Sequence, residues 1–307
     1  MTTADPVRVV PVTTPAQRND WLMLPHTIYR NDPAWVAPIH FIEKQRITPK
    51  TNPFFGFADV QLFVAYRGAK PVGRITAQVN RRYLESHPNS TGHFGFFDCL
   101  DDQEAADALV AAAAEWLKAR GMQRMEGPFN FSINQECGLL IAGFDSPPAI
   151  MMTHATAWMP GLLEKAGMTK AMDTHAYRFE PAKMPDRLLR LAAMAKKSPE
   201  VTVRPIDTKN FRQEVLTLID IFNDAWHDNW GFVPFSDAEI DAMIGEMKLF
   251  FRSKYGRMVM YHGKPVGVII ALPNINEVAA SFNGRLLPFN WAKLLWWLWR
   301  EKGRTAR

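Results

Sequence analysis

Phe63-Val-Ala-Tyr-Arg-Gly-Ala-Lys-Pro-Val-Gly-Arg-Ile75 is answered farther along the chain by Met258-Val-Met-Tyr-His-Gly-Lys-Pro-Val-Gly-Val-Ile269. Each stretch reads as two short apolar strands joined by a turn, with Gly68 or Gly263 supplying the permissive backbone. The predicted strands are 62–66 and 71–79 in the first copy and 257–261 and 265–272 in the second. The shared Lys-Pro-Val-Gly, at 70–73 and 264–267, recurs at an offset of 194. The same offset carries Val7-Arg-Val-Val-Pro-Val12 onto Val201-Thr-Val-Arg-Pro-Ile206. Two independent matches at one offset predict an internal duplication. Tyr66 aligns with Tyr261 at 195, which predicts a turn one residue shorter in the second copy.

Around these anchors both copies follow one plan. A short strand leads into a helix, 17–29 in the first and 211–226 in the second. An aromatic, proline-containing loop (32–38 and 229–234) then precedes the hairpin. The first copy continues with a strand at 95–99 and an alanine-rich helix over 101–120, whose Asp101 and Glu104 suit a capping box and whose Gly121 suits a stop. A strand at 123–127, an asparagine-rich loop, a helix near 161–166 and a last strand at 176–179 complete it. The predicted organisation is a first lobe over 1–183, a linker over 184–200 and a partial second lobe over 201–307. Adding the offset to the first copy carries the second beyond Arg307, so the reading expects a shortened second lobe.

The 307 residues are 47% apolar and 22% charged, which excludes disordered, collagen-like and disulfide-stapled chains. Cys99 and Cys137 form no C-x-x-C, which argues against a structural zinc or redox pair and for a reducing cytoplasm. The opening residues show no basic stretch followed by an apolar one, so no signal peptide is expected. Most of the net charge of +5 belongs to the tail, where Lys293, Arg300, Lys302, Arg304 and Arg307 face a single Glu301. The rest of the chain is near neutral, which disfavours a nucleic-acid partner.

The element order of the first copy, the hairpin at 64–75 and the stretch Leu162-Leu-Glu-Lys-Ala-Gly-Met168 resemble the GNAT acyltransferase superfamily. More narrowly, 127–134, 229–234 and 271–276 resemble bacterial tandem-GNAT proteins. The fold implied is α/β: two GNAT-like lobes, each a mixed, mostly antiparallel sheet flanked by helices, the second incomplete. The activity implied is acyl transfer from acyl-CoA to an amine, including a long-chain lipid amine of bacterial sphingolipid synthesis. A backbone N–H would polarise the thioester carbonyl. Acyl-CoA would be a co-substrate rather than a tightly bound cofactor. Such transferases resemble one another in a glycine-rich turn after the fourth strand that holds pyrophosphate. Here that turn has no glycine and carries Asp98, Asp101, Asp102 and Glu104, so the first lobe reads as a degenerate coenzyme site. No cofactor-binding or metal-binding residues are identifiable, and the shortened chain is expected to be inactive.

In the loop 130–136, Asn130 and Asn134 are substrate-binding candidates, and Glu136 could serve as a base toward an amine if its pKa were raised. Asn229, Trp230, Asn274 and Asn276 are candidates in the second lobe. The bland alternative for each is loop hydrogen bonding or packing. His26, His154, His175 and His227 have no partner at ligand spacing and read as packed or exposed. The tail 289–303, with four tryptophans among basic residues, is too short to span a bilayer and suits either burial or peripheral contact with the inner face of a membrane. Two other readings remain at this stage: a Fem-type aminoacyl transferase, and a non-catalytic binding or regulatory protein.

Overall fold

The structure, a computed structural model, describes residues 5–248 and 251–307. They form two compact units. The first contains the described residues through Ala171 together with Gly231–Val233 and Asn274–Arg304; the second contains Met172–Trp230, Pro234–Pro273 and Thr305–Arg307. These bounds differ from the expected 1–183, 184–200 and 201–307: the second unit begins at Met172 and has a helix, Asp186–Lys197, where a linker was expected, while Gly231–Val233 and Asn274–Arg304 return to the first.

The first unit begins with β1 (Val7–Pro11) and α1 (Pro15–Ile28). Thr14 starts that helix: its side chain accepts the Gln17 N–H while the Gln17 side chain accepts the Thr14 N–H, and Pro15 fits the first turn. Then come α2 (His40–Arg46), the hairpin β2 (Ala58–Arg67) and β3 (Lys70–Asn80), α3 (Arg81–Ser86), β4 (Thr91–Cys99), α4 (Gln103–Lys118) and β5 (Arg124–Glu126). A small ribbon, β6 (Phe129–Asn130) and β7 (Glu136–Cys137), and α5 (Met159–Lys165) follow. The five-stranded sheet has the order β1-β2-β3-β4-β5 and is antiparallel except between β4 and β5. Both faces are covered. Phe63, Ala65, Ile75 and Ala77 pack with Leu109, Ala113 and Leu117 of α4, whereas Leu62, Val64 and Tyr66 pack with Trp21, Phe54, Phe96 and Phe131. This is the mixed α/β architecture, with its antiparallel-dominated sheet, that the element order implied.

Two local expectations are corrected. Asp102, not Asp101, caps α4, accepting the Ala105 N–H at 3.2 Å, while Glu104 pairs with Arg67 at 2.8 Å. The segment 176–179 forms no strand: it has no ladder partner, and Tyr177 and Phe179 are exposed.

The second unit contains α6 (Asp186–Lys197), β8 (Val201–Pro205), α7 (Phe211–Trp226), α8 (Asp237–Lys248), β9 (Gly256–Tyr261) and β10 (Lys264–Ile270). Its sheet has the order β10-β9-β8. Ile206, Phe211, Val215, Ile219, Ile240 and Met258 form its core, and Arg204 holds Glu214 with two bonds of 2.8 and 2.9 Å.

The strand registers of the two units coincide. Val7 pairs with Arg67 and Val9 with Ala65; at the same offset of 194, Val201 pairs with Tyr261 and Val203 with Val259. The closing pairs, Arg67 with Lys70 and Tyr261 with Lys264, enclose turns of equal length. The expected shortening of the second turn is therefore overturned, and Tyr261 corresponds to Arg67 rather than Tyr66. What differs is the turn backbone. Gly68 alone has positive φ in the first, whereas His262 and Gly263 both have it in the second, the pattern of a type I′ turn. Each hairpin also skips one residue, Val72 or Val266, inside its Pro-Val-Gly.

The chain ends with α9 (Asn276–Ala279) and α10 (Asn290–Trp299), both in the first unit. Val278, Ala279, Phe282 and Trp297 make a separate cluster that takes in Val36.

Candidate active site

The asparagine-rich loop closes on the middle of β4. There the ladder with β3 is interrupted, since Arg74 pairs with Asp98 but Thr76 pairs with Gly95, and Phe96 has a positive φ of 47°. The kink turns the Phe96 N–H away from β3. Asn130 takes it, its Oδ1 accepting at 2.7 Å. The carbonyl of Phe129 accepts from Gln78 Nε2 at 2.8 Å and lies so close to Gly95 that a Cβ there would stand 1.8 Å from it. Phe131 is fully buried among Phe54, Phe55 and Phe96. Phe129–Phe131 is thus a wedge seated against β4.

Glu136 fixes the other end of the loop. Its Oε2 accepts from Arg46 Nη1 at 2.9 Å and from Asn130 Nδ2 at 3.0 Å, and Arg46 also reaches the Asn130 carbonyl at 3.1 Å. Burial works against the charged Arg46, but the Glu136 and Glu43 carboxylates outweigh it and raise its pKa. Asn134 Nδ2 donates to the Val233 carbonyl at 2.7 Å. Beside this loop is a small cleft, lined in part by Tyr83, His93, Phe129, Ser132 and Val233. Burial, with a smaller contribution from His87, pushes His93 down to about 3, so its imidazole is neutral at pH 7.

In the acidic turn at the end of β4, Asp98, Asp102 and Glu104 are each held by an arginine. Arg67 binds Asp102 and Glu104, each at 2.8 Å. Asp98 accepts from Arg74 at 2.6 Å and from the Tyr29 hydroxyl at 2.5 Å, and the Arg74 guanidinium lies 4.3 Å above the Trp21 ring. Burial first, then Asp98, raises the Tyr29 pKa well above its ordinary value. Burial, followed by Asp102, Asp98 and Asp101, pushes the Cys99 thiol up to about 12, which keeps it protonated and unreactive at neutral pH.

The remaining expected site residues are dispersed. Asn274 Oδ1 accepts the Ile150 N–H at 3.2 Å and Asn276 Nδ2 donates to the Pro148 carbonyl at 2.9 Å, so both hold a loop of the first unit. Asn229 and Trp230 belong to the second unit, where the Asn229 N–H bonds to the Trp226 carbonyl at the end of α7. The structure therefore brings together Asn130 and Glu136, and attaches Asn134 to the same loop. Among the described residues no group of three or more His, Cys, Asp or Glu side chains could hold a metal ion.

No protein-family profile matches the chain. Over all of its length, however, it is 41% identical to the bacterial ceramide synthase of Caulobacter vibrioides (strain NA1000 / CB15N), of which it covers 80%. The chain belongs to the bacterial ceramide synthase family. The chain is also 39% identical to protein YghO of Escherichia coli (strain K12), over 96% of this chain and 76% of that protein. Among solved structures, a tandem GNAT protein from the clavulanic acid biosynthesis pathway matches 85% of this chain and 73% of its own at 12% identity and a TM-score of 0.45. An aminoglycoside acetyltransferase from an uncultured soil metagenomic sample matches 57% of this chain and 95% of its own at 9% identity and a TM-score of 0.35.

In this member of the ceramide synthase family, sequence reasoning missed two histidine pairs. His154 Nε2 lies 2.7 Å from Asp32 Oδ2, its ring almost wholly buried, and its Nδ1 has no hydrogen-bond partner among the described residues. His26 and His40 meet through their Nε2 atoms at 2.7 Å. Burial lowers both pKa values, reinforced for His26 by His40 and for both by Arg285, so one neutral ring donates to the other. His154 and Asp32 lie far apart in the chain, and no local spacing announces such a pair.

Proposed function

We propose that the chain works as an acyltransferase that joins an acyl group to the nitrogen of a long-chain lipid amine, with acyl-CoA as donor. The observation that carries this reading is the 41% identity, along the whole chain, to a protein named bacterial ceramide synthase. In the reaction the amine nitrogen attacks the thioester carbonyl. The C–N bond forms, the C–S bond breaks, and the proton lost by nitrogen ends on the departing thiolate. Most of the catalytic demand is therefore positioning of two substrates and polarisation of one carbonyl.

On this reading the first unit is a support and does not hold the donor. The backbone N–H freed by the kink in β4 is spent on Asn130, and the Phe129 carbonyl fills the space beside Gly95. At the head of α4, where phosphate would be held, Asp102 occupies the cap and adds negative charge. We assign Glu136 to anchoring the wedge, because the same carboxylate oxygen receives Arg46 and Asn130.

The test is direct. Purified protein is incubated with a long-chain amine and acyl-CoA, and the amide and free thiol are measured together. Equal formation of both supports the reading; thiol release without amide, or neither product, rejects it. Glu136→Gln separates the roles of that residue. An anchoring role predicts a lower melting temperature with kcat changed by less than about tenfold, whereas removal of a general base costs roughly 100- to 10,000-fold.

A further inference from the structure

The helix α10 is apolar on two sides, and only one faces the protein. Leu294, Trp297 and Leu298 turn inward against Val278, Ala279 and Phe282. Trp291, Leu295 and Trp299, spaced by four residues, run along an adjoining stripe that turns away from that contact, with Trp296 beside them, and each is about half exposed or more. Leu287 and Phe289, just ahead of the helix, are still more exposed, at 74% and 78%. Six large apolar side chains thus project from a stretch of thirteen residues, Leu287–Trp299. A soluble surface tolerates scattered apolar residues, but a contiguous cluster of this kind marks a contact.

The flanking charge says what sort of contact. Arg300 lies 5.8 Å above the Trp299 ring and Lys302 lies 4.9 Å above the Trp296 ring, whereas Lys293 of the same helix donates to the Ser281 hydroxyl at 2.9 Å. From Arg285 to Arg304 the only acidic side chain is Glu301. Tryptophans at the level of a row of cations suit the boundary of an anionic bilayer, where the indoles enter the headgroup layer and the cations meet phosphates. The helix is about 15 Å long, enough to lie in the interface but not to cross it. Among the described residues no helix is long and apolar enough to span a membrane. A second element of the same unit points the same way. α2, whose His40 N–H bonds to the Gly284 carbonyl at 2.9 Å, exposes Phe41 and Ile42.

We propose that the outward side of α10, with Leu287 and Phe289, is a docking surface for an anionic lipid bilayer. The acyl-transfer reading supplies only its use, namely access to a lipid amine held in that bilayer. Docking itself is measured without substrate, so failure of either proposal leaves the other standing.

The experiment is flotation of the full chain with vesicles of phosphatidylcholine alone or mixed with phosphatidylglycerol, at low and high salt. The chain should float with the anionic vesicles at low salt, remain behind with the neutral ones, and be released as salt shortens the Debye length from about 10 Å at 0.1 M to about 3 Å at 1 M. Trp296→Ser with Trp299→Ser should lower the bound fraction by roughly tenfold or more, because the two rings are the main apolar insertion. Arg300→Gln with Lys302→Gln should lower it by a similar factor through charge alone, on exposed positions that leave the fold intact. Tyr177→Ser, which removes an exposed aromatic of the second unit, should change nothing. The proposal is overturned if the unaltered chain ignores anionic vesicles at low salt, or if the tryptophan pair is dispensable. A discrete oligomer that dissociates with the tryptophan substitutions and does not bind vesicles would overturn it in favour of a second copy of the chain.

Discussion

Asp98 balances the buried charge of the first unit. It pairs with Arg74, whose guanidinium is almost fully enclosed over the Trp21 ring, and it also receives the Tyr29 hydroxyl. Removing one member of such a pair leaves an uncompensated charge in a poorly solvated place. Asp98→Asn should therefore cost about 3–5 kcal/mol in a urea titration. Tyr29→Phe, which leaves the ion pair whole, should cost about 1–2 kcal/mol. A second prediction concerns acid. The His93 pKa is about 3 in the folded chain and near its ordinary value of about 6.5 when unfolded. The unfolded state then binds the proton more readily, so the stability is complete above about pH 6.5 and is lost as pH falls toward the folded value. His26 and His40, both lowered, act with the same sign. Between pH 6 and 4, His93→Gln should reduce the slope of stability against pH by about 1.4 kcal/mol per unit, and a slope identical to that of the unaltered chain would contradict this account. How much of this was legible depended on distance along the chain. Asn130, Asn134 and Glu136 stand within one loop and could be picked out together. Asp32 and His154 meet only once the sheet has assembled, and Asn130's real partner, a backbone N–H in β4, has no side chain to signal it.

Secondary-structure elements were the most readable level. α7 was predicted with its observed bounds, β1, β3, β8, β9 and β10 with small shifts, and β2 only over its C-terminal half, because alternating apolar residues and turn glycines are local signals. The turn alignment failed for an instructive reason. Matching tyrosines equates Tyr66 with Tyr261, whereas backbone pairing equates Arg67 with Tyr261, and hydrogen bonds fix register where side-chain identity does not. The strand expected at 176–179 failed because periodicity cannot supply a ladder partner. Two element-level predictions follow. At the second turn, His262→Asn should raise stability by a few tenths of a kcal/mol, since asparagine accepts positive φ better than histidine, while Gly263→Ala should lower it by about 1 kcal/mol; thermal melting reads both. At β4, Gly95→Ala must displace the Phe129 carbonyl, and it should expose the Phe131 pocket to a hydrophobic dye and lower the melting temperature. Native-like melting of Gly95→Ala would mean that the wedge is not seated as described.

At the scale of the molecule, length and composition indicated a globular chain of one large or two ordinary domains, the α/β class came from the order of the elements, and the family follows from similarity along the whole length. The division between the units was less legible. A repeat offset assigns residues by ancestry, whereas packing assigns them by contact. The stretch from Asn274 to Arg304 therefore went to the second copy in sequence and to the first unit in space. Deleting 274–307 should uncover Val36 and release the loop at 148–150, giving a chain that binds hydrophobic dye strongly and melts at a lower temperature. A deletion that melts like the full chain would show that this segment contributes nothing to the first unit.

That return of the chain has a consequence for how the protein is made. Val36 leaves the ribosome early, and the residues that cover it, Val278 and Trp297 among them, come only after the whole hairpin of the second unit. At about 5–20 residues per second the interval is roughly ten seconds to a minute, far longer than a small domain needs to fold. During synthesis the first unit must wait, with one wall open, for the end of its own sequence.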